Sequence, residues 1–204
     1  MFIEHEEKRR LTELGIIRKG HFVLASGQHS EQYIDKNTIL IRPSLLSWYC
    51  HEVASRVSKH RPDFIIGPVL GGALIAHRVA EHLTGIRDDG GPLALFADKQ
   101  QDGSYELRRG FGEYVRGKTV AVVEDVITTG SAVRKVIDAV KTAGGRVACV
   151  TSLCNRGGVM GLDDVENFSV LMEFTVDAFP ADACPLCSTN IPISKEFGRG
   201  PQLA

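Results

Sequence analysis

The sequence predicts an α/β fold, a mostly parallel central sheet flanked by helices. Three observations lead there. Short apolar runs alternate with longer helical patterns along the chain, the order expected when helices cross over between parallel strands. The run Thr119–Val123 is continuous and β-prone, as in a strand buried on both faces. Two of the runs lead directly into glycine-containing loops that open helices, at the edge where such sheets place their ligands.

In chain order, Glu4–Leu14 reads as an amphipathic helix ending at Gly15. His21–Ala25 and Gln32–Lys36 read as short strands about the Ser26–Gly27 turn. Pro43–Lys59 is a helix with proline in its first turn, where the missing N–H costs nothing. Phe64–Ile66 is a short strand, followed by the loop Gly67–Gly72 and a helix over Ala73–Leu83. Arg87–Gly91 is a turn cluster and Leu93–Phe96 a strand. Residues 98–118 are polar, contain glycine and show weak periodicity. After the strand Thr119–Val123 comes a helix over Ala132–Ala143, stopped by Gly144–Gly145. Arg146–Leu153 and Ser169–Phe174 are the last strands. The chain shows no internal repeat, low-complexity segment or clear linker.

Composition narrows the function classes. At 204 residues, 43% hydrophobic and 24% charged, the chain is that of one ordinary globular domain with a core of real size. A net charge of −1 gives no basic footprint for nucleic acid. No apolar run approaches the ~20 residues that span a membrane. The charged start, Met-Phe-Ile-Glu-His-Glu-Glu-Lys-Arg-Arg, lacks the apolar core of a signal peptide, so the expected location is the cytoplasm. Of five cysteines, Cys50, Cys149 and Cys154 fall in helix or strand and read as reduced core residues. Cys184 and Cys187 form a lone C-x-x-C. No second C-x-x-C or paired histidine is evident in sequence to complete four zinc ligands. The expectation is no protein metal site, unless a dimer brings two such pairs together.

The stretch Thr119–Ala132 carries the most chemistry. The strand runs into Glu124 and Asp125, then into the hydroxyls of Thr128, Thr129 and Ser131 around Gly130, and then into a helix. Unpaired N–H groups at a helix start, with the helix dipole, favour an anion. Gly130 allows positive φ and close backbone approach. The two carboxylates have the wrong charge for a phosphate and suit sugar hydroxyls or positive charge developing on a sugar ring. A plainer reading also exists: Ser/Thr/Gly at a helix start is ordinary capping, and a strand ending in two acids also suits a solvated edge. The chain contains neither G-x-x-x-x-G-K-[ST] nor G-x-G-x-x-G after a strand. Gly67–Gly72 repeats the strand–loop–helix pattern and suits a pyrophosphate held by backbone amides, or a plain turn. Residues 98–109 read as a solvated hairpin or a basic loop. Arg156, after an apolar strand and before two glycines, suits a carboxylate clamp or a surface turn.

The segment Val-Val-Glu-Asp-Val-Ile-Thr-Thr-Gly (122–130) resembles the phosphoribosyl-pyrophosphate (PRPP) motif of type I phosphoribosyltransferases, and its Thr-Thr-Gly form is most similar to the orotate branch. Gly20–Ser30 is similar to the amino-terminal segment of that branch, and Gly67–Gly72 to its pyrophosphate loop. Leu107–Phe111 with Gly117-Lys118, Asn155–Gly158 and Cys184–Cys187 also match, in the same order over roughly residues 11 to 195.

The resemblance implies a single phosphoribosyltransferase domain over 1–204, with a small hood from about residues 1–40 and the C-terminal tail. It implies transfer of ribose 5-phosphate from PRPP to orotate with release of pyrophosphate, dependence on Mg²⁺, and a homodimer. Glu124 and Asp125 would act catalytically and hold the ribose. Val126, Ile127, Thr128, Thr129, Gly130, Ser131 and Ala132 would complete the PRPP site, with Gly71 and Gly72. Lys99, as a catalytic cation, and Arg108 and Arg109 would reach the pyrophosphate from a mobile loop that closes over the site. Thr128 and Arg156 would contact orotate.

Some positions depart from the pattern. The Lys-x-His-Gly of many members is missing from the loop. Ala25 stands where many have a phosphate-binding lysine, with Lys36 the nearest substitute. Leu70-Gly71 replaces another lysine, and Asn155 a common aspartate. A purine phosphoribosyltransferase or a PRPP-sensing regulator of the same fold is the alternative.

Overall fold

The computed structural model describes residues 5–163 and 165–198. They fall into two units, residues 42–174 and residues 5–41 with 175–198.

In the unit built from the chain ends, α1 (His5–Glu13) passes through Gly15 (φ 76°) into β1 (Ile17–Val23), which pairs antiparallel with β2 (His29–Ile34). A short helix, α2 (Asn37–Leu40), follows. Leu11, Ile16, Ile17, Phe22, Val23, Ile34 and Ile39 form its apolar interior. Both strands begin earlier than the sequence predicts. The register slips between Lys19 and Phe22, and such a bulge breaks the two-residue alternation by which a strand is read. Glu4 of the expected first helix lies outside the described residues.

The larger unit contains α3 (Pro43–Ser58), β3 (Phe64–Pro68), α4 (Gly71–Thr84), β4 (Leu93–Lys99), β5 (Tyr105–Glu106), α5 (Phe111–Val115), β6 (Thr119–Ile127), α6 (Ser131–Thr142), β7 (Arg146–Asn155) and β8 (Phe168–Glu173). Six strands form one sheet in the order β5-β4-β3-β6-β7-β8. All pairs are parallel except β4–β5. Phe64, Ile66, Val120 and Val122 share a core with Val133, Val136, Ile137 and Val140 of α6. The alternate residues Ile65, Ala121 and Val123 are equally buried. Successive strand residues face opposite sides, so the second face is covered too; α3 and α4, packed on each other, contact the sheet there. This double cover explains why the central strands are apolar at every position.

Two findings near the site refine the expectation. The motif strand does not leave the sheet at Val123: it stays paired with β7 to Ile127, so Glu124 and Asp125 lie within it. Pairing with a buried neighbour overrides the low strand preference of acidic residues. Residues 98–106, open in the sequence between a solvated hairpin and a basic loop, form a hairpin in which Asp98 pairs with Glu106 and Lys99 with Tyr105. Its strands are too short to show a period.

In the tail, Phe179 exchanges two backbone hydrogen bonds with His29, each 2.8 Å. The short helix α7 (Pro185–Ser188) follows. The N–H of Ser194 then donates to the His21 carbonyl at 2.8 Å.

Candidate active site

The order of the sheet fixes where a ligand fits. From β3 the chain proceeds outward to β4, then returns to place β6 on the other side of β3. At such a switch point the loops after the two central strands part and leave a crevice at their carboxyl ends. Both glycine-containing loops singled out in the sequence follow these two strands.

The two ends of the loop after β3 pack glycine backbone against glycine backbone. A β-carbon on Gly67 would lie 2.2 Å from the Gly72 carbonyl oxygen, and one on Gly72 would lie 2.5 Å from Pro68 Cδ. Its Val69–Leu70 peptide is cis. α4 starts at Gly71, so first-turn N–H groups lack intrahelical acceptors and can serve an anion.

The loop after β6 turns at Gly130, which has φ 75° and caps α6. The Ser131 N–H is 3.3 Å from Thr129 Oγ1, and Arg134 donates to the Thr129 carbonyl at 2.8 Å. α6 runs for 12 residues, long enough for its dipole to matter at Ser131 and Ala132.

Between the loops stand the two acids, both buried. The Asp125 N–H donates to Glu124 Oε1 at 3.0 Å, and the Val126 N–H to Asp125 Oδ1 at 2.6 Å. Asp125 also faces the other loop, since a β-carbon on Gly71 would fall 1.9 Å from its Oδ2. A carboxylate at the end of β6 thus rests on the backbone of the loop that follows β3.

Arg156 directly follows β7. Its N–H donates to the Ile127 carbonyl at 2.8 Å, and a β-carbon on Gly157 would fall 1.6 Å from the Thr128 carbonyl oxygen. Thr128 and Arg156 therefore occupy adjoining loops. Burial pushes the Cys154 thiol up to about 12, a rise that the Arg156 charge opposes and the Asp125 charge reinforces.

The expected residues divide into two groups. Gly71, Gly72, Glu124, Asp125, Thr128, Thr129, Gly130, Ser131, Ala132 and Arg156 line the ends of β3, β6 and β7. Val126 and Ile127 contribute backbone: the Val126 N–H orients Asp125, and the Ile127 carbonyl anchors Arg156. Lys99 is exposed at the end of β4, beside β3 and just beyond its last paired residue. The two arginines are engaged elsewhere. Arg109 pairs with Asp98 and lies 5.2 Å from the Phe96 ring centroid. Arg108 lines a groove with Lys135 and Asp138 of α6. Sequence reading missed Asp98 as the partner of Arg109, and Gly157 as the residue that admits Thr128. The run Arg-Gly-Gly was the available signal for the second, because adjacent glycines mark close backbone approach.

A model of the phosphoribosyl transferase domain matches residues 47–185. The orotate phosphoribosyltransferase of Thermoanaerobacter sp. (strain X514) is 37% identical over 202 residues, covering 97% of this chain and 99% of its own. The chain belongs to the orotate phosphoribosyltransferase family. Solved members share the fold. That of Aeropyrum pernix superposes with a TM-score of 0.65 at 24% identity, over 81% of this chain and 92% of its own. A Mycobacterium tuberculosis orotate phosphoribosyltransferase in complex with PRPP superposes with a TM-score of 0.54 at 20% identity, over 70% and 81%.

Proposed function

We propose that this protein is an orotate phosphoribosyltransferase, transferring ribose 5-phosphate from PRPP to orotate to give orotidine 5′-monophosphate and pyrophosphate. The observation that carries the reading is the contact of Asp125 with Gly71. It sets a sugar-binding carboxylate between two anion-binding loops, matching the phosphate–ribose–pyrophosphate order of PRPP.

In this reading Thr128–Ala132 and the start of α6 hold the 5-phosphate through N–H and hydroxyl donors. The backbone of Gly67–Gly72 holds the pyrophosphate. Glu124 and Asp125 accept hydrogen bonds from the ribose hydroxyls. As the bond to pyrophosphate lengthens, positive charge grows on the ribose ring, and the two buried carboxylates favour it more than they favour the neutral sugar. Arg156 grips the orotate carboxylate and, with Thr128, aims the base nitrogen at the ribose carbon. Lys99 approaches the pyrophosphate from β4. Arg108 and Arg109 join it only after Arg109 leaves Asp98.

The family implies Mg²⁺, and the donors present suit it. Glu124 and Asp125 offer hard carboxylate oxygens, and this ion combines one or two carboxylates with water and substrate phosphates in place of a protein cage. When bound it supplies charge neutralisation to the departing pyrophosphate. The resemblance also supports a homodimer and a cytoplasmic enzyme. Among the described residues, no helix is long and apolar enough to cross a membrane.

The test is incubation with PRPP, Mg²⁺ and a panel of bases, following pyrophosphate release. Orotate alone should support turnover. Turnover with adenine, hypoxanthine or guanine instead would move the protein to the purine alternative, and PRPP binding without turnover would make it a sensor.

A further inference from the structure

Four side chains converge within the unit formed by residues 5–41 and 175–198. His21 lies on β1 and His29 on β2, on either side of the hairpin turn. Cys184 and Cys187 bracket the first turn of α7. One ligand-type atom from each lies within 4.8 Å of all the others. His21 Nε2 is 3.7 Å from Cys184 Sγ and 3.8 Å from Cys187 Sγ, and His29 Nδ1 is 3.4 Å from Cys187 Sγ. The two ring nitrogens are 2.7 Å apart.

We propose that His21, His29, Cys184 and Cys187 form a structural zinc site that ties the C-terminal tail to the β1–β2 hairpin. The chemistry is that of a closed Cys₂His₂ set, which zinc takes in tetrahedral geometry. With Zn–S of about 2.3 Å and Zn–N of about 2.0 Å, a tetrahedron has S···N edges of about 3.5 Å and an N···N edge of about 3.3 Å. The three short sulfur–nitrogen separations lie within about 0.3 Å of that edge, and the two ring nitrogens need to part by about 0.6 Å.

The surroundings agree. His21 Nδ1 is 2.7 Å from the Ile191 carbonyl oxygen. That bond places a proton on Nδ1 and leaves the Nε2 lone pair facing the sulfurs, which is the outer-partner arrangement of metal-bound histidine. His21, His29 and Cys184 are buried, whereas Cys187 is exposed. Zinc with two thiolates and two neutral imidazoles carries no net charge, so the buried cluster avoids an uncompensated ion. Binding releases both thiol protons to solvent. The sequence hides this site because the histidines and cysteines are separated by more than 150 positions; their local signals are the lone C-x-x-C and two histidines flanking one short hairpin turn. The proposal departs from the expectation of no protein metal site. A metal staple also suits the size of this unit, since small apolar cores commonly need one.

Elemental analysis of the full chain, purified without chelator or affinity tag, should find about one zinc per chain, as a single four-ligand site requires. Cobalt(II) added to the metal-free protein should give visible tetrahedral d–d bands and a thiolate charge-transfer band. Cys187→Ser, at an exposed position, should leave the fold intact by circular dichroism, lose the zinc and abolish the charge-transfer intensity in proportion. Absence of zinc together with a flat cobalt titration of the natural protein would overturn the site. So would a Cys184–Cys187 disulfide found by mass spectrometry in protein kept under reducing conditions.

Discussion

The backbone of Gly71 lies directly against the carboxylate of Asp125, with 1.9 Å between Oδ2 and the point where a β-carbon would stand. A single methyl group on Gly71 must therefore push Asp125 from its position. Gly71→Ala should keep the sheet, because the displaced group is a side chain and not a strand. It should lower turnover more than it raises the PRPP KM. Steady-state kinetics with unchanged kcat would show that the contact has no catalytic weight.

Asp125→Asn preserves shape and removes charge. Its backbone stays paired in β6, so far-ultraviolet circular dichroism and melting temperature should hardly change. Turnover should fall by ~10²–10³, the scale seen when one preorganised electrostatic group is lost. Near-natural activity in this variant removes Asp125 from the mechanism.

Gly130 combines φ 75° with close neighbours: a β-carbon there would lie 2.7 Å from Arg134 Nη1 and 3.2 Å from Leu162 Cδ2. Gly130→Val adds a branched side chain in a backbone region such residues avoid. PRPP affinity measured by calorimetry should drop. An unaltered affinity would mean that the 5-phosphate sits elsewhere.

Arg156→Ala should cost orotate turnover, as kcat/KM, by ~1.5–3 kcal/mol, the usual worth of a charge-assisted hydrogen bond. PRPP binding should change little, since its phosphates rest on other loops. Uracil, which lacks the carboxylate, should be a poor substrate for the natural protein and no worse for the variant. Equal use of uracil and orotate by the natural protein would sink the orotate assignment and leave the transfer chemistry standing.

Burial pushes the thiols of Cys50, Cys149 and Cys154 from 9.0 up to about 12. Above pH 9 the unfolded chain ionises these groups while the folded protein keeps them protonated, so protons stabilise the native state. Stability should fall as pH rises from 9 towards 12. At pH 8 all three should resist a thiol reagent until denaturant is added. Rapid labelling of Cys154 in the native protein would contradict its burial.

The crevice was legible because its parts are local. A buried strand announces itself by unbroken Val and Ile, and a phosphate-type loop by glycine and hydroxyls before a helix. Glu124 and Asp125 were placed correctly in order but at the wrong depth, because membership of the sheet is decided by β7, not by their own preference. The hairpin of β4 and β5 is one of two readings that the sequence leaves open, because Asp98, Lys99, Tyr105 and Glu106 become strands only by pairing with one another. Arg109 illustrates a further gap. Its charge is visible in sequence, but its engagement with Asp98 is a matter of geometry. Limited proteolysis offers a check on that region. Cleavage near Gln101–Asp102, at the exposed turn, should slow when PRPP and Mg²⁺ are present, and indifference to ligand would mark the hairpin as passive.

The hydrogen bonds from Phe179 to His29 and from Ser194 to His21 have a consequence for how the protein is made. A ribosome synthesises β1 and β2 early and must translate the whole sheet-bearing segment before their partners emerge. Until then the hairpin has an unsatisfied edge and little apolar cover, and an isolated two-stranded hairpin is marginal in water. The large unit is one continuous stretch, residues 42–174, and can assemble as soon as it is made, whereas the other unit must wait for residues 175–198. β1 and β2 are thus made before the sheet of the large unit and completed after it.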